Sequence, residues 1–177
     1  GLGYVEYALI IEELSKVDPS IGLSVAAHNG LCTNHINLFG NDLQKKKYLP
    51  DLASGNKIGA WGLTESASGS DAAGLLSTAI KNTDHFILNG SKQFTTHGTI
   101  GETYVVMAIT NKDAGKKGIS AFILEKGMEG LIIGKKENKL GMRASDTTQL
   151  AFENCEVPVE NLLGEEGKGF YYLMGGL

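Results

Sequence analysis

Residues 59–72 read GAWGLTESASGSDA, and this stretch decides how the rest of the chain is interpreted. The apolar run over residues 58–63 predicts a buried strand. Hydroxyl groups, a carboxylate and glycines follow it, and Gly69 and Gly74 leave room for the backbone to approach a ligand. Such donors at the end of a strand suit a phosphate group or the polar edge of a ring. An ordinary polar turn has the same composition, so this stretch alone leaves both interpretations open.

The first 55 residues predict helices. Apolar residues over positions 4–14 recur at the spacing of one helix face. The Asp18-Pro19 pair interrupts that helix, because the residue before a proline avoids helical backbone angles. A second apolar helix is expected over residues 20–39. Asn41 and Gln44 form a capping-box pattern that predicts a third helix.

The pattern changes at Lys57, where short strand-like runs begin. Strands are expected over residues 58–64, 76–81, 86–89, 92–96, 104–110, 119–125, 131–136 and 149–153. Asn89-Gly90 lies between two of these runs and predicts a two-residue hairpin. Because no long helices alternate with the strands, the pattern favours a sandwich or barrel over a parallel doubly wound sheet. Pro158 is expected to end the last strand, and residues 168–177 predict the start of another helix.

The composition excludes several other classes of protein. The 177 residues are 42% hydrophobic and 20% charged with a net charge of −4, which is typical of a globular protein and gives no sign of a nucleic-acid surface. Neither a membrane-spanning run nor a signal-peptide pattern is present. Cys32 and Cys155 do not make a disulfide framework, so a reducing compartment is expected. His28 and His35 lack partners at metal-ligand spacing, so no metal site is predicted.

The segment LTESASGSD, residues 63–71, resembles the signature of the acyl-CoA dehydrogenase family. Six further family-like segments follow in the family's order: LNGSK at 88–92, FTT at 94–96, GISAF at 118–122, KLGMRAS at 139–145, FENCEVP at 152–158 and LGE at 163–165. Because these segments extend over most of the chain, the resemblance does not depend on one motif.

The resemblance implies an α+β fold in three parts. Residues 1–55 would be the end of an N-terminal helical domain, and residues 56–160 a middle domain built as an antiparallel β-barrel or sandwich. Residues 161–177 would be a linker and the start of a C-terminal helical domain. We therefore expect the chain to be a piece of a longer protein that is a homotetramer when whole.

The family removes two hydrogens from the Cα–Cβ bond of an acyl-CoA thioester: a carboxylate takes the α proton and N5 of FAD takes the β hydride. The resemblance implies that FAD is bound by Trp61, Leu63, Thr64, Gly69, Ser70, Phe94, Thr95 and Thr96. Thr64 would bond the pyrimidine side of the flavin, Thr96 would lie near N5, and Phe94 would pack on the ring. The structural alternative for Thr64 and Thr96 is that they are ordinary β-branched residues of strands. The alternative for Phe94 is that it is one more aromatic residue of the core.

The same resemblance implies contacts with the acyl-CoA substrate. Ser70 matches a position at the pyrophosphate and the CoA moiety. Lys116 and Lys117 match a point where the family approaches the CoA phosphates, and a solvated loop explains them equally well. Residues 22–31 match a helix that lines the acyl pocket, where His28 is more typical of a satisfied histidine than of a base.

Three positions depart from the family pattern. Ser66 stands in place of Pro, which leaves the turn less rigid. Phe94 stands in place of Trp and lacks its N–H donor, and His97 stands in place of Asn. The family's catalytic base is a Glu of the C-terminal domain, beyond these 177 residues. No catalytic residue is therefore assigned, Glu65 being part of the flavin signature, and these residues alone are expected to be inactive.

The resemblance thus implies an FAD-dependent acyl-CoA dehydrogenase that uses electron-transfer flavoprotein as its acceptor, in a bacterial cytoplasm or the mitochondrial matrix. Residues 27–32 resemble short- and branched-chain enzymes, including the isovaleryl-CoA type. An acyl-CoA oxidase or a flavin monooxygenase relative would share this fold. A non-catalytic β-barrel binding module is the alternative from another class.

Overall fold

The computed structural model describes residues 3–176. Its helices are α1 (Tyr4–Val17), α2 (Pro19–Ala26), α3 (Asn34–Phe39), α4 (Asp42–Ser54) and α5 (Gly169–Gly176). A π-helical turn, Ala27–Thr33, joins α2 to α3, so the helix predicted over residues 20–39 is confirmed with one wider turn inside it. Among the positions for which helices were predicted, Gly1, Leu2 and Leu177 lie outside the described residues. None of the described helices is long and apolar enough to cross a membrane.

The predicted capping box begins α4 and also joins the helices to the sheet. The side chain of Asn41 accepts from the backbone N–H of Gln44 at 2.9 Å, and Gln44 Oε1 accepts from the backbone N–H of Asn41 at 3.1 Å. The amide nitrogen of Gln44 donates to the carbonyl oxygens of Glu160 and Leu162, at 2.8 and 2.9 Å. One buried side chain therefore caps α4 and attaches it to the far end of the domain.

The strands are β1 (Gly59–Gly62), β2 (Thr78–Lys81), β3 (His85–Thr96), β4 (Thr103–Ile109), β5 (Ile119–Glu125), β6 (Leu131–Lys136), β7 (Thr147–Pro158) and β8 (Leu162–Leu163). These eight strands form one sheet, in which seven follow the order β6-β7-β3-β2-β4-β5-β8 and β1 lies off this path. β1 pairs in parallel with β4 over positions 103–106, and β2 meets the same edge further on, with Thr78 opposite Ile109. The predicted fold class is confirmed, and the sheet is mixed and not closed into a barrel.

The core has two layers, one on each face of the sheet. The layer against the helices includes Cys32, Ile36, Leu52, Met107 and Ile123. The layer on the opposite face includes Phe86, Leu88, Tyr104, Phe122 and Leu150. β4 and β5 contribute to both layers and are buried over almost their whole length, and their residues share the first layer with residues of α3 and α4.

The hairpin predicted at Asn89-Gly90 is wrong, because β3 runs unbroken from His85 to Thr96. The chain reverses earlier, at residues 82–84, where Asn82 N–H donates to the His85 carbonyl at 2.8 Å. Gly90 instead lies at a shift in the β3–β7 register with φ of 137°. A Cβ built there would lie 2.7 Å from the Cα of Ser77. The Asn-Gly signal thus marks a β-bulge where another segment approaches closely.

Replacing Gly90 with alanine is expected to lower the free energy of unfolding by about 2–4 kcal/mol, because both the backbone angle and the contact with Ser77 disfavour a side chain. Gly55 is the matched control: its φ is 76°, but a Cβ there would meet nothing within 4 Å. Gly55→Ala should therefore cost only the backbone strain, about 1–2 kcal/mol. Urea denaturation of the two variants measures the difference, and equal losses would contradict the close approach at Gly90.

Candidate functional site

A cavity of about 170 Å³ opens where β1, the middle of β3 and the π-helical turn meet. Its lining comprises Ala27, Leu31, Trp61, Leu63, Thr64, Gln93, Phe94 and Thr96. The cavity is smaller than a typical ligand pocket, so it suits one edge of a ring rather than a whole dinucleotide.

The end of β1 and the middle of β3 are joined beside this cavity. The N–H of Gln93 donates to the carbonyl oxygen of Thr64 at 2.7 Å. Gly62 faces β3 so closely that a Cβ there would lie 3.1 Å from Cγ of Lys92. This contact brings the side chains of Thr64 and Thr96, which are far apart in sequence, to one cavity. Their hydroxyl groups make no hydrogen bond with the part of the chain that the structure describes, so both can bond a ligand.

Phe94 is displayed by a second irregularity in β3. The register with β7 shifts between Lys92 and Thr95, and Phe94 has a φ of 54°. A large residue with positive φ is strained, and such strain is typical of functional sites. The ring of Phe94 is 65% exposed, so it offers an aromatic face at the mouth of the cavity.

The opposite wall comes from the π-helical turn and an aromatic pair beside it. Ala27 and Leu31 face the cavity from this turn. The rings of Trp61 and His35 lie 5.5 Å apart. Nε1 of Trp61 and Nε2 of His35 are buried without a hydrogen-bond partner among residues 3–176. Nδ1 of His35 donates to the Leu31 carbonyl, and burial lowers the pKa of the ring, so this wall is neutral and apolar apart from the indole N–H of Trp61 and the acceptor Nε2 of His35.

The structure brings together Trp61, Leu63, Thr64, Phe94 and Thr96, five of the residues for which the sequence predicted FAD contacts. Thr95 points into the interior and is 1% exposed. The other predicted residues, Gly69, Ser70, Lys116 and Lys117, are exposed and do not line the cavity. The sequence analysis missed Gln93, whose only signal was its place beside Phe94.

Lys116 and Lys117 lie on a 3₁₀ turn, Lys112–Gly118, next to the start of α5. Nζ of Lys116 lies 4.9 Å from the ring centroid of Phe170. That contact is a cation–π interaction, and it gives Lys116 a structural partner.

A buried ion pair lies beneath the loop that follows Thr64. Nζ of Lys92 lies 2.6 Å from Oε1 of Glu65, and the two side chains are 0% and 5% exposed. Oε1 and Oε2 of Glu65 also accept from the backbone N–H groups of Ser77 and Leu76. Burial alone would raise the pKa of Glu65, but the charge of Lys92 and these donors lower it. Burial lowers the pKa of Lys92, and Glu65 offsets part of that shift.

Two histidines form hydrogen bonds with the backbone N–H and carbonyl groups of Gly59 at the start of β1. The N–H of Gly59 donates to Nδ1 of His28 at 2.9 Å, so Nε2 of His28 carries the proton and donates to the Leu52 carbonyl at 2.9 Å. His28 is thus the satisfied histidine that the sequence predicted. The carbonyl of Gly59 accepts from Nδ1 of His97 at 3.0 Å. Burial lowers the pKa of His97, against the effect of this carbonyl.

Replacing His97 with asparagine is expected to make stability less sensitive to mild acid. The folded state binds a proton at His97 less readily than the unfolded chain does. The contribution of His97 to the free energy of unfolding is therefore complete above the ordinary histidine pKa of about 6.5, and it falls as the pH drops below that value. Asparagine does not titrate and tolerates the φ of 63° found here. Melting temperatures between pH 7.5 and 5.5 test this, with His85→Asn as control; an unchanged pH slope in His97→Asn would contradict the assignment.

The fold and the cavity define an α+β protein whose strand ends and helical turn enclose a small hydroxyl-bearing site, and comparisons with known proteins identify the family. Residues 1–56 match the N-terminal domain of acyl-CoA dehydrogenases, and residues 60–155 match their middle domain. The chain belongs to the acyl-CoA dehydrogenase family.

Curated relatives are about half identical to the chain. A short-chain-specific acyl-CoA dehydrogenase of Clostridium acetobutylicum is 51% identical over 96% of this chain and 45% of its own length. A mitochondrial isovaleryl-CoA dehydrogenase of Oryza sativa subsp. japonica is 49% identical over 100% of this chain and 43% of its own length. The chain thus spans less than half the length of these relatives.

Solved structures agree with the fold. A chain in a structure of the electron transferring flavoprotein of Acidaminococcus fermentans matches with a TM-score of 0.97 and 51% identity, over 99% of this chain and 46% of that one. An acyl-CoA dehydrogenase from Bacillus anthracis complexed with FAD matches with a TM-score of 0.91 and 42% identity, over 99% of this chain and 30% of that one.

Proposed function

We propose that the whole protein is an FAD-dependent acyl-CoA dehydrogenase that oxidises the Cα–Cβ bond of an acyl-CoA thioester. The observation that carries this proposal is the cavity that Thr64 and Thr96 both line beside the exposed Phe94. Hydroxyl donors fit the polar edge of a flavin, and an aromatic face fits its ring. The relatives' names and the FAD complex of the B. anthracis enzyme support the same assignment.

In this proposal the residues of the cavity bind and orient the cofactor. FAD would supply the hydride acceptor for the β carbon of the substrate. Thr64 would donate to the pyrimidine edge of the flavin, and Thr96 would donate near N5. Phe94 and Trp61 would hold the ring by packing, and the turn that carries Ala27 and Leu31 would exclude water from the acyl side. No carboxylate among residues 3–176 lines the cavity, so the base that takes the α proton is assigned to a part of the protein outside this chain.

The remaining assignments extend the proposal to the substrate and to the whole protein. Ser70, Gly69, Lys116 and Lys117 are exposed and would contact the phosphates of FAD or CoA outside the cavity, while Thr95 would contribute through its backbone. Residues 1–55, 56–160 and 161–177 are proposed as the three domain segments. Electron-transfer flavoprotein is the proposed acceptor, in a homotetrameric enzyme of a bacterial cytoplasm or the mitochondrial matrix. Short- and branched-chain acyl-CoA thioesters are the proposed substrates.

The test uses the purified full-length protein. We expect a visible flavin absorption band that bleaches under anaerobic conditions when butyryl-CoA or isovaleryl-CoA is added. Rapid reoxidation of the reduced flavin by molecular oxygen, with substrate turnover, would instead identify the protein as an oxidase or monooxygenase. A colourless protein that neither binds added FAD nor changes with acyl-CoA would overturn the proposal in favour of a non-catalytic binding module.

A further inference from the structure

The Glu65–Lys92 ion pair lies in the interior directly behind the cavity. Lys92 is 0% exposed, whereas its neighbour Gln93 lines the cavity. Nζ of Lys92 lies within hydrogen-bond distance of the carbonyl oxygen of Leu63, which lines the cavity, so the ammonium group lies against the back of the cavity wall. Ion pairs this deeply buried are costly to desolvate and are a weak source of stability. Its location therefore calls for a role other than stability alone.

The pair is connected to the cavity lining through the backbone carbonyl group of Leu63, and a second bond follows from the neighbouring residue of β3. Besides Glu65, Nζ of Lys92 donates to the carbonyl oxygen of Leu63 at 3.3 Å. The next residue of β3, Gln93, donates its N–H to the carbonyl oxygen of Thr64 at 2.7 Å. Leu63, Thr64 and Gln93 all line the cavity. Lys92, through its side chain, and Gln93, through its backbone, thus hold the segment that follows β1 against β3 at successive carbonyl groups.

Glu65 extends the same connection to the loop that carries Ser70. Its carboxylate accepts from the N–H groups of Leu76 and Ser77, and its backbone pairs with Ser68 in both directions, at 2.9 and 3.1 Å. The two ends of the loop over residues 65–77 are therefore held at one carboxylate, which is itself held by Lys92.

We propose that Glu65 and Lys92 are positioning residues for the cofactor: the pair sets where the Thr64 hydroxyl and the 65–77 loop meet the flavin. The inference rests on the proposed function, because it concerns the same cavity. Neither residue touches the cofactor. Both act through Leu63, Thr64 and the loop.

The test is a double-mutant cycle in the full-length protein with Lys92→Met, Glu65→Gln and the double variant. The readouts are the dissociation constant of FAD from the reconstituted apoprotein and the visible circular dichroism of the bound flavin, both measured well below the melting temperature. Glutamine keeps an acceptor for the N–H groups of Leu76 and Ser77. We expect each single variant to weaken FAD binding roughly tenfold and the double variant to weaken it no more than the worse single variant. The flavin dichroism should change in all three.

Lys47→Met is the matched control. It removes an ion pair with the same 2.6 Å distance, to Glu125, but those side chains are 56% and 36% exposed. We expect neither FAD affinity nor the flavin spectrum to change in this variant. If the Lys92→Met variant does not fold, the FAD affinity and flavin dichroism of the Glu65→Gln variant alone test the proposal.

Variants that melt earlier but bind FAD with wild-type affinity and an unchanged flavin dichroism would overturn the proposal and leave the pair a purely structural role. The wild-type arm separates this from a failure of the proposed function: a full-length wild-type protein that does not bind FAD refutes both proposals before any variant is compared.

Discussion

Replacing Glu65 with alanine is expected to lower the free energy of unfolding by about 3–5 kcal/mol. The change leaves the ammonium group of Lys92, 0% exposed, without a counter-charge. It also removes the acceptors for the N–H groups of Leu76 and Ser77. An uncompensated buried charge and two unsatisfied donors are each costly in the interior. Urea denaturation followed by circular dichroism measures the loss.

Glu13→Ala provides the control, because it removes an ion pair of the same 2.6 Å distance, to Lys16, whose side chains are 57% and 69% exposed. A far smaller change is expected there. The pH dependence gives a second check. The pKa of Glu65 is lower in the folded state, so its stabilisation is complete above the ordinary pKa of about 4.3 and is lost as the pH falls through the lower, folded value. A gap between wild type and Glu65→Gln that widened in acid would contradict the charged pair.

Replacing Phe122 with alanine is expected to lower the free energy of unfolding by a similar amount, about 3–5 kcal/mol. Phe122 is 0% exposed, and its ring meets that of Phe86 edge to face, with centroids 5.0 Å apart at 67°. The substitution leaves a cavity in the core layer away from the helices, where β4 and β5 are buried on both faces and cannot close it easily. The melting temperature and the urea midpoint report the loss.

Phe94→Ala is the matched comparison for Phe122→Ala. Phe94 is 65% exposed, and alanine would occupy the same positive φ, so the backbone strain is retained. Stability should change by less than about 1 kcal/mol, while FAD affinity falls because the aromatic face is lost. Equal losses of stability in the two variants would show that Phe94 is a core residue, the structural alternative left open by the sequence.

Most of the fold could be predicted from the sequence, because it depends on local signals. The break at Asp18-Pro19, the Asn41–Gln44 capping box and β5 each follow from residues close together in the chain. The hairpin at Asn89-Gly90 could not be judged in this way. The same dipeptide serves a turn or a bulge, and the approach of Ser77 decides between them. The short strand β8 was missed because its pairing depends on β5.

The sequence by itself determined the family and most of the order of helices and strands, and it predicted a set of cofactor-binding residues that includes Trp61, Leu63, Thr64, Phe94 and Thr96. Only the tertiary structure decided which of the predicted residues face the cavity, because the irregularity at Phe94 breaks the alternation of side chains along β3. It also decided that Lys92 pairs with Glu65, 27 residues away. A lysine in a strand is typical of a solvent-exposed position unless distant segments bury it, and burial is what makes a partner of opposite charge obligatory.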